Sequence, residues 1–241
     1  IETNNPTDNL QLEEDIFRSR VLPEPKQTDL IIRFWRNNPC IVMGRFQKRE
    51  HEINEEYINK HKLPVLRRFT GGGTVYHDKG TLNFTLIKNR EHMFHSSQIL
   101  EEAAWISGII KTSITDLVTI NKSELIIDQR SNIFNDRRKI MGIAIALSGN
   151  KFLYHASILI DTDLKALNNS LLQKPNYPES GKRFVKSVRS PVMNLREMIP
   201  GDTENLINSL KSAILTTIGE TLNIRKSFQE IYRIEDLNKF L

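Results

Sequence analysis

Three consecutive glycines, Gly71, Gly72 and Gly73, are framed by Arg67-Arg68-Phe69-Thr70 on one side and Thr74-Val75-Tyr76-His77-Asp78-Lys79-Gly80 on the other. Glycine loses more conformational freedom on folding than any other residue, so a run of three needs a reason. Either the backbone takes positive φ angles, or something approaches it so closely that a Cβ would block the way. Successive backbone N–H groups in such a turn form an anion-binding concavity. An adjacent arginine offers a planar, permanently charged fork that matches phosphate or carboxylate oxygens. After Gly80 the pattern alternates, with Leu82, Phe84 and Leu86 on one face of a strand. The stretch reads as a cradle for a small anion between two strands. A hairpin turn with surface arginines is the competing reading. No Gly-Lys-Ser/Thr closes the loop and no G-x-G-x-x-G opens a helix, so neither common nucleotide fingerprint applies.

The flanking chain divides into short elements. Residues 8–20 carry Leu10, Leu12, Ile16 and Phe17 and read as an amphipathic first helix. Residues 30–35 and 40–44 are apolar runs split by Asn37-Asn38-Pro39, a strand–turn–strand signal. Residues 54–62 read as a helix stopped ahead of Pro64, and 65–68 and 83–87 as strands on either side of the glycine loop. Ser96-Ser97 cap a helix whose stripe (Ile99, Leu100, Ala103, Ile106, Ile110) belongs to the core. Residues 124–128, 140–147 and 152–160 are strand-like, and 165–190 are loop-rich. Leu206, Leu210, Ile214, Ile218 and Leu222 recur every fourth residue as a closing helix.

Composition narrows the class. The 241 residues suffice for one large domain or two small ones, and 39% hydrophobic with 26% charged residues is ordinary for a globular chain. The polar, acidic opening is no signal peptide, and no apolar run approaches the ~20 residues of a membrane-spanning helix. The single cysteine, Cys40, excludes an internal disulfide and suits a reducing compartment, the cytoplasm or, in a eukaryote, the mitochondrial matrix. It sits in an apolar run, where cysteine is more often inert core than nucleophile. The net charge of +5 favours anionic partners, but no basic run interleaved with aromatics points to nucleic acid.

Taken whole, Arg-Arg-x-Thr-Gly-Gly-Gly-x-Val-Tyr-His-Asp-x-Gly-x-Leu-Asn-Phe-Thr resembles the signature of the lipoate–protein ligase A family. Further blocks keep the same order. Asn9-Leu10-Gln11-Leu12-Glu13-Glu14 resembles the helix opening the family's catalytic domain, and Gly44-Arg45-Phe46-Gln47 its loop beside the lipoate tail. Arg138-Lys139-Ile140-Met141-Gly142-Ile143-Ala144, with His155 beyond, resembles the second block. Ser187-Val188-Arg189-Ser190 resembles the end of the segment that covers the adenylate. The resemblance implies an α/β (α+β) domain of the class II synthetase or biotin–lipoate ligase type, with a central mixed β-sheet flanked by helices, filling residues 1–241.

It further implies an ATP- and Mg²⁺-dependent enzyme that converts lipoate to lipoyl-AMP and transfers it to a lysine of lipoyl-acceptor domain proteins (2-oxoacid dehydrogenase E2, glycine cleavage H protein). Lys139 is implied as the catalytic lysine, touching the α-phosphate and acyl carbonyl. Arg45, Arg68, Gly71, Gly72, Gly73, Thr74, Val75, His77, Asn83, Gly142, Ala144 and His155 are implied around lipoate and its adenylate, with Ser187 and Arg189 in the adenylate loop. Where the family carries Asn-Asp ahead of the strand at 125, this chain has Ser123-Glu124, making Glu124 the candidate metal carboxylate. Where the family often shows His-Gly-Thr, it has His155-Ala156-Ser157. The absence of the usual C-terminal extension resembles the archaeal bipartite ligases and implies a separate small accessory subunit. An ATP-independent octanoyl or lipoyl transferase and a non-catalytic lipoate-binding module are the alternative functions.

Overall fold

The computed structural model describes residues 3–19, 30–89, 96–118, 124–173 and 187–222. Alternating side chains from six strands build one antiparallel sheet in the order β1-β5-β9-β8-β7-β6. Its strands are β1 (Leu30–Trp35), β5 (Thr81–Asn89), β6 (Leu125–Ile127), β7 (Ile133–Asn135), β8 (Arg138–Ser148) and β9 (Lys151–Leu159). A second sheet has three strands in the order β3-β2-β4: β2 (Cys40–Met43), β3 (Val65–Arg67) and β4 (Val75–His77). β2 runs parallel to β3 and antiparallel to β4, so the mixed pairing expected from the resemblance resides in this small sheet.

The period-2 alternation gives the large sheet two different faces. Leu82, Phe84, Leu86, Tyr154 and Ile158 point to one of them, where α4 (Ser96–Leu117) and α6 (Thr203–Thr221) pack on each other and on the sheet to close the main core. Ile106, Ile110, Ile114, Leu210 and Ile214 are buried there, each fully buried leucine or isoleucine contributing about 1.5–3 kcal/mol. Asp202 caps α6 by accepting the Asn205 N–H at 2.9 Å. Leu222 falls at the C-cap and is half-exposed, outside the stripe that the spacing assigned to it.

The opposite face carries polar rows. Cross-strand pairing aligns Arg33, Thr85, His155 and Ala144 in one row and Trp35, Asn83, Ser157 and Gly142 in the next. Paired residues share a face, so both rows look the same way. α1 (Pro6–Phe17) covers one end of this face and packs Ile16 and Phe17 against Ile87 and Leu153. Asn5 caps it, with Oδ1 accepting the Thr7 N–H at 2.9 Å, and Pro6 occupies the first turn, where no donor is needed. The small sheet covers the other end, and the space between is the cavity described below.

Four strands and α-helices were not expected. Val75–His77 is a strand of the small sheet rather than part of the loop, and Ile133–Asn135 forms a hairpin strand beside β8. Helix α5 (Leu164–Ser170) lies in the stretch read as loop, capped by Asp163 on the Ala166 N–H at 2.9 Å. A single turn, α2 (Arg49–Glu52), precedes the expected α3 (Glu55–His61). The side chains of Ser96 and Ser97, Ser123 and residues 174–186 of the expected adenylate-covering segment lie outside the described residues. No described helix is long and apolar enough to cross a membrane.

Candidate active site

A cavity of about 950 Å³ opens between the polar rows, the small sheet and the strap at 187–192. Its lining includes apolar side chains, Leu10, Trp35, Val42, Leu159, Leu167 and Leu171. It also includes residues of the glycine loop, Lys139, Asp128, Arg130, Asn132, Ser187 and Arg189. Of the residues singled out from sequence, Arg68, Gly72, Gly73, Thr74, Val75, His77, Asn83, Lys139, Gly142, Ala144, His155, Ser187 and Arg189 all line this one space.

The loop's geometry explains its glycines individually. Gly72 has φ +86°, and a Cβ there would stand 2.8 Å from Arg68 Nη2 and 3.3 Å from the Ala144 Cβ. Gly71 has open space at its Cβ position and does not line the cavity. Arg68 is buried. Its Nη2 donates to Gly71 O at 2.6 Å and Gly73 O at 2.7 Å, its Nη1 to Val42 O at 3.2 Å and its Nε to Thr70 Oγ1 at 3.0 Å. Burial lowers its pKa to about 10, against the opposing pull of Glu13. The fork expected to grip a ligand anion is instead directed at backbone carbonyls. Arg68 shapes the cradle.

Arg45 falls outside the cavity lining. It is exposed and lies over the Phe46 ring at 5.3 Å. The inward residue of that turn is Gln47, buried, whose Oε1 accepts Thr74 Oγ1–H at 2.6 Å and whose Nε2 donates to Ser187 Oγ at 2.7 Å. Ser187 in turn donates to Glu52 Oε2 at 2.6 Å, and Arg189 Nη2 reaches the same carboxylate at 3.1 Å. The strap is thereby pinned to α2 and the glycine loop.

Two relays run beneath the cradle. In the first, Arg68 Nε donates to Thr70 Oγ1, Thr70 meets His155 Nε2 at 3.0 Å, and His155 Nδ1 meets Glu13 Oε2 at 2.9 Å. Burial alone would raise the Glu13 pKa, but His155, Thr85 and Arg33 outweigh it and hold the carboxylate below its usual range. In the second, Asn37 Nδ2 meets His77 Nδ1 at 3.1 Å and His77 Nε2 meets Ser157 Oγ at 2.9 Å. Ser157 donates to Asn83 Oδ1 at 2.8 Å. Burial, reinforced by the charges of Arg68 and His155, pushes the His77 pKa down to about 3, so the ring is neutral. This relay engages only the carbonyl side of Asn83. Its buried Nδ2 has no partner among the described residues, an orphan donor at the cavity wall.

Lys139 stands on β8, where its backbone N–H donates to Pro191 O at 2.7 Å and its carbonyl accepts the Met193 N–H at 3.1 Å. Its ammonium lies 5.5 Å over the Phe134 ring. Burial lowers its pKa, Asp128 opposes this, and Arg130 and Arg189 add to it.

Glu124 is exposed and outside the cavity, so the carboxylate expected there for a metal is out of place. Among the described residues, the carboxylate in the lining is Asp128. Its Oδ1 accepts the N–H groups of Arg130 (2.9 Å) and Asn132 (2.8 Å), and its Oδ2 accepts Asn132 Nδ2 at 2.9 Å. No group of three or more His, Cys, Asp or Glu side chains that could hold a metal occurs among the described residues. A protein cage for a metal is therefore not built here. A single carboxylate with an open lone pair does fit a Mg²⁺ ion carried chiefly by substrate phosphates.

Sequence reasoning gave no site role to Glu13, Gln47, Glu52 or Arg130, although Glu13 and Gln47 lie within the blocks at 9–14 and 44–47. Glu13 had a signal: residues 9, 10, 13, 16 and 17 share one helical stripe, which places its carboxylate on the buried face. The other three belong to turns whose inward side no periodicity reveals.

Comparison with known proteins identifies the family. Residues 5–218 match the lipoyl protein ligase A/B catalytic domain. The chain is 33% identical over 226 residues to lipoate–protein ligase 1 of Staphylococcus aureus, covering 92% of this chain and 63% of that protein. It is 31% identical over 196 residues to lipoate–protein ligase A subunit 1 of Thermoplasma acidophilum, covering 80% and 72%. The fold matches the T. acidophilum protein Ta0514 solved with bound lipoic acid, at a TM-score of 0.73, 26% identity and coverage of 100% and 90%. A lipoate–protein ligase A bound with ATP matches equally well, at a TM-score of 0.73, 27% identity and the same coverage. This chain belongs to the lipoyl protein ligase A/B catalytic domain family.

Proposed function

We propose that the chain activates lipoate with ATP and transfers the lipoyl group to a lysine ε-amine of an acceptor domain. The observation that carries this reading is a single cavity whose lining combines apolar side chains with basic groups and backbone donors, where Lys139 and the glycine loop line the same space. Its volume, about 950 Å³, falls at the upper end of the range for small-molecule sites. The lipoic acid and ATP bound by the two structural relatives support the same pair of ligands here.

In the first step a lipoate carboxylate oxygen attacks the α-phosphorus and the bond to pyrophosphate breaks. In the second the acceptor amine attacks the acyl carbon, its carbon–oxygen bond to AMP breaks, and the amine loses a proton. Negative charge grows on phosphoryl oxygens first and on the acyl oxygen next. The Lys139 ammonium, held on a strand, stabilises both without reorganising. The glycine loop, shaped by Arg68, brings backbone donors to the same charge. The orphan Asn83 Nδ2 supplies a fixed donor deeper in the cavity. Asp128 is the residue that would hold a Mg²⁺ ion brought in on the phosphates, and such an ion would supply neutralisation of pyrophosphate charge. The strap, pinned by Ser187 and Arg189, keeps water from the mixed anhydride.

A thioester route through Cys40 is disfavoured: the thiol is buried, burial pushes its pKa up to about 12, and it does not line the cavity. The naming of the T. acidophilum relative as a subunit supports a second polypeptide in the working enzyme. Mixing the chain with lipoate, ATP and Mg²⁺ tests the proposal. Lipoate-dependent pyrophosphate release is expected, and its absence, with and without a candidate second subunit, overturns the ATP-dependent reading.

A further inference from the structure

The cavity holds a second available cation besides Lys139. Arg68 and Arg189 also bear on the site, but their guanidinium groups are engaged. Arg68 donates to Gly71, Gly73 and Val42 carbonyls, and Arg189 to Leu172 O at 3.0 Å and to Glu52. Arg130 differs. Its side chain is exposed yet lines the cavity, and no hydrogen bond or ion pair joins its guanidinium to a described residue.

Its backbone, by contrast, is held firmly. The turn from Asp128 to Asn132 is closed by Asp128 Oδ1, which accepts the Arg130 and Asn132 N–H groups, and by the Ser131 N–H on Asp128 O at 2.9 Å. Ser131 takes φ 62° and is buried, with its carbonyl accepting Ser107 Oγ–H at 2.7 Å. A rigid turn therefore displays an arginine with no partner among the described residues at the cavity rim, outward of the more buried Lys139.

We propose that Arg130 binds the outer phosphates of the nucleotide, the two that leave as pyrophosphate. The inference rests on the ligase reading above. The planar fork suits two phosphate oxygens at once. Position argues for the outer pair: on the ligase reading the inner phosphate lies at the more buried Lys139, and the exposed rim at Arg130 is where a longer anion extends toward solvent. Arg130 then acts in adenylate formation and has no partner left once pyrophosphate has gone.

Calorimetric titration of the wild type, Arg130→Ala and Arg130→Lys with α,β-methylene-ATP and with AMP tests this. Arg130→Ala should lose about tenfold in affinity for the ATP analogue, the size of a partly exposed charged contact, and less than about twofold for AMP. Arg130→Lys should recover part of the loss. Where lipoate-dependent pyrophosphate release is present, KM for ATP should rise by about the same factor, while transfer from synthetic lipoyl-AMP changes less than about twofold. Equal losses for ATP analogue and AMP, no loss for either, or a higher KM for the acceptor domain with ATP binding intact would each overturn the proposal. A wild type that makes no lipoyl-AMP sinks the ligase reading instead, and the ATP-against-AMP comparison still decides the role of Arg130.

Discussion

Adjacent glycines in the cradle should respond to alanine in opposite ways. At Gly72, φ +86° is a left-handed backbone that costs an L-residue about 1–2 kcal/mol. The new Cβ would also lie 2.8 Å from Arg68 Nη2, closer than real Cβ contacts come. That nitrogen cannot swing away freely, because it donates to Gly71 O and Gly73 O at 2.6 and 2.7 Å. Losing one such charged hydrogen bond costs about 1.5–3 kcal/mol. Gly72→Ala should therefore destabilise the domain by about 2.5–5 kcal/mol, a large share of the ~5–15 kcal/mol that holds a typical domain together. At Gly71 no atom lies within 4 Å of the Cβ position and φ is not positive. Gly71→Ala should be neutral or stabilising by up to ~1 kcal/mol through the unfolded chain. Urea unfolding of the wild type and both variants, with slopes checked for equality, measures the difference without any ligand. Equal losses at the two positions would refute the reasoning, as would a loss under ~1 kcal/mol at Gly72.

Three further outcomes follow from the same geometry. Lys139→Ala should fold normally and lose at least ~10²–10³ in pyrophosphate release, and a folded variant with near-normal release would remove Lys139 from the chemistry. Cys40→Ser should keep most activity, since the thiol is buried and protonated; loss of transfer together with an acyl-cysteine trapped on the wild type by mass spectrometry would reverse that view. Acid should weaken the fold through His77: its folded pKa is near 3, so below ~6.5 the unfolded chain takes up the proton and the folded one does not. The penalty grows by about 1.36 kcal/mol per pH unit, reaching about 2 kcal/mol at pH 5, and His77→Gln should flatten that slope if His77 is its source.

Where a residue's role is written in local chemistry, the chain could be read directly. The glycine run demanded a special backbone and has one at Gly72. Asn54 heads α3, with Oδ1 accepting the Tyr57 N–H at 3.2 Å, close to where the helix over 54–62 was expected to begin. Short or embedded elements were harder to see. Val75–His77 and Ile133–Asn135 are three-residue strands, too brief for alternation to register, and α5 is a two-turn helix within a polar stretch. Direction was hardest of all. Nothing in Arg67-Arg68 tells which guanidinium turns inward, or that the inward one serves loop carbonyls: Arg67 holds Gly44 O and Gln47 O at 2.8 Å, while Arg68 holds the glycine loop. That Asp128 rather than Glu124 lines the cavity has the same origin, since the hairpin formed by β6 and β7 decides which acid faces it.

If lipoate is activated as an acyl phosphate, one of its carboxylate oxygens passes to AMP, and following that atom tests the activation step most directly. Lipoate labelled with ¹⁸O in its carboxylate is incubated with the chain, ATP, Mg²⁺, an acceptor domain and a candidate second subunit, and the AMP is examined by mass spectrometry. Attack by the carboxylate on the α-phosphorus, followed by cleavage of the acyl carbon–oxygen bond, leaves one lipoate oxygen on AMP for each lipoylated acceptor. Lipoylated acceptor accompanied by unlabelled AMP, or by no AMP at all, would contradict the account.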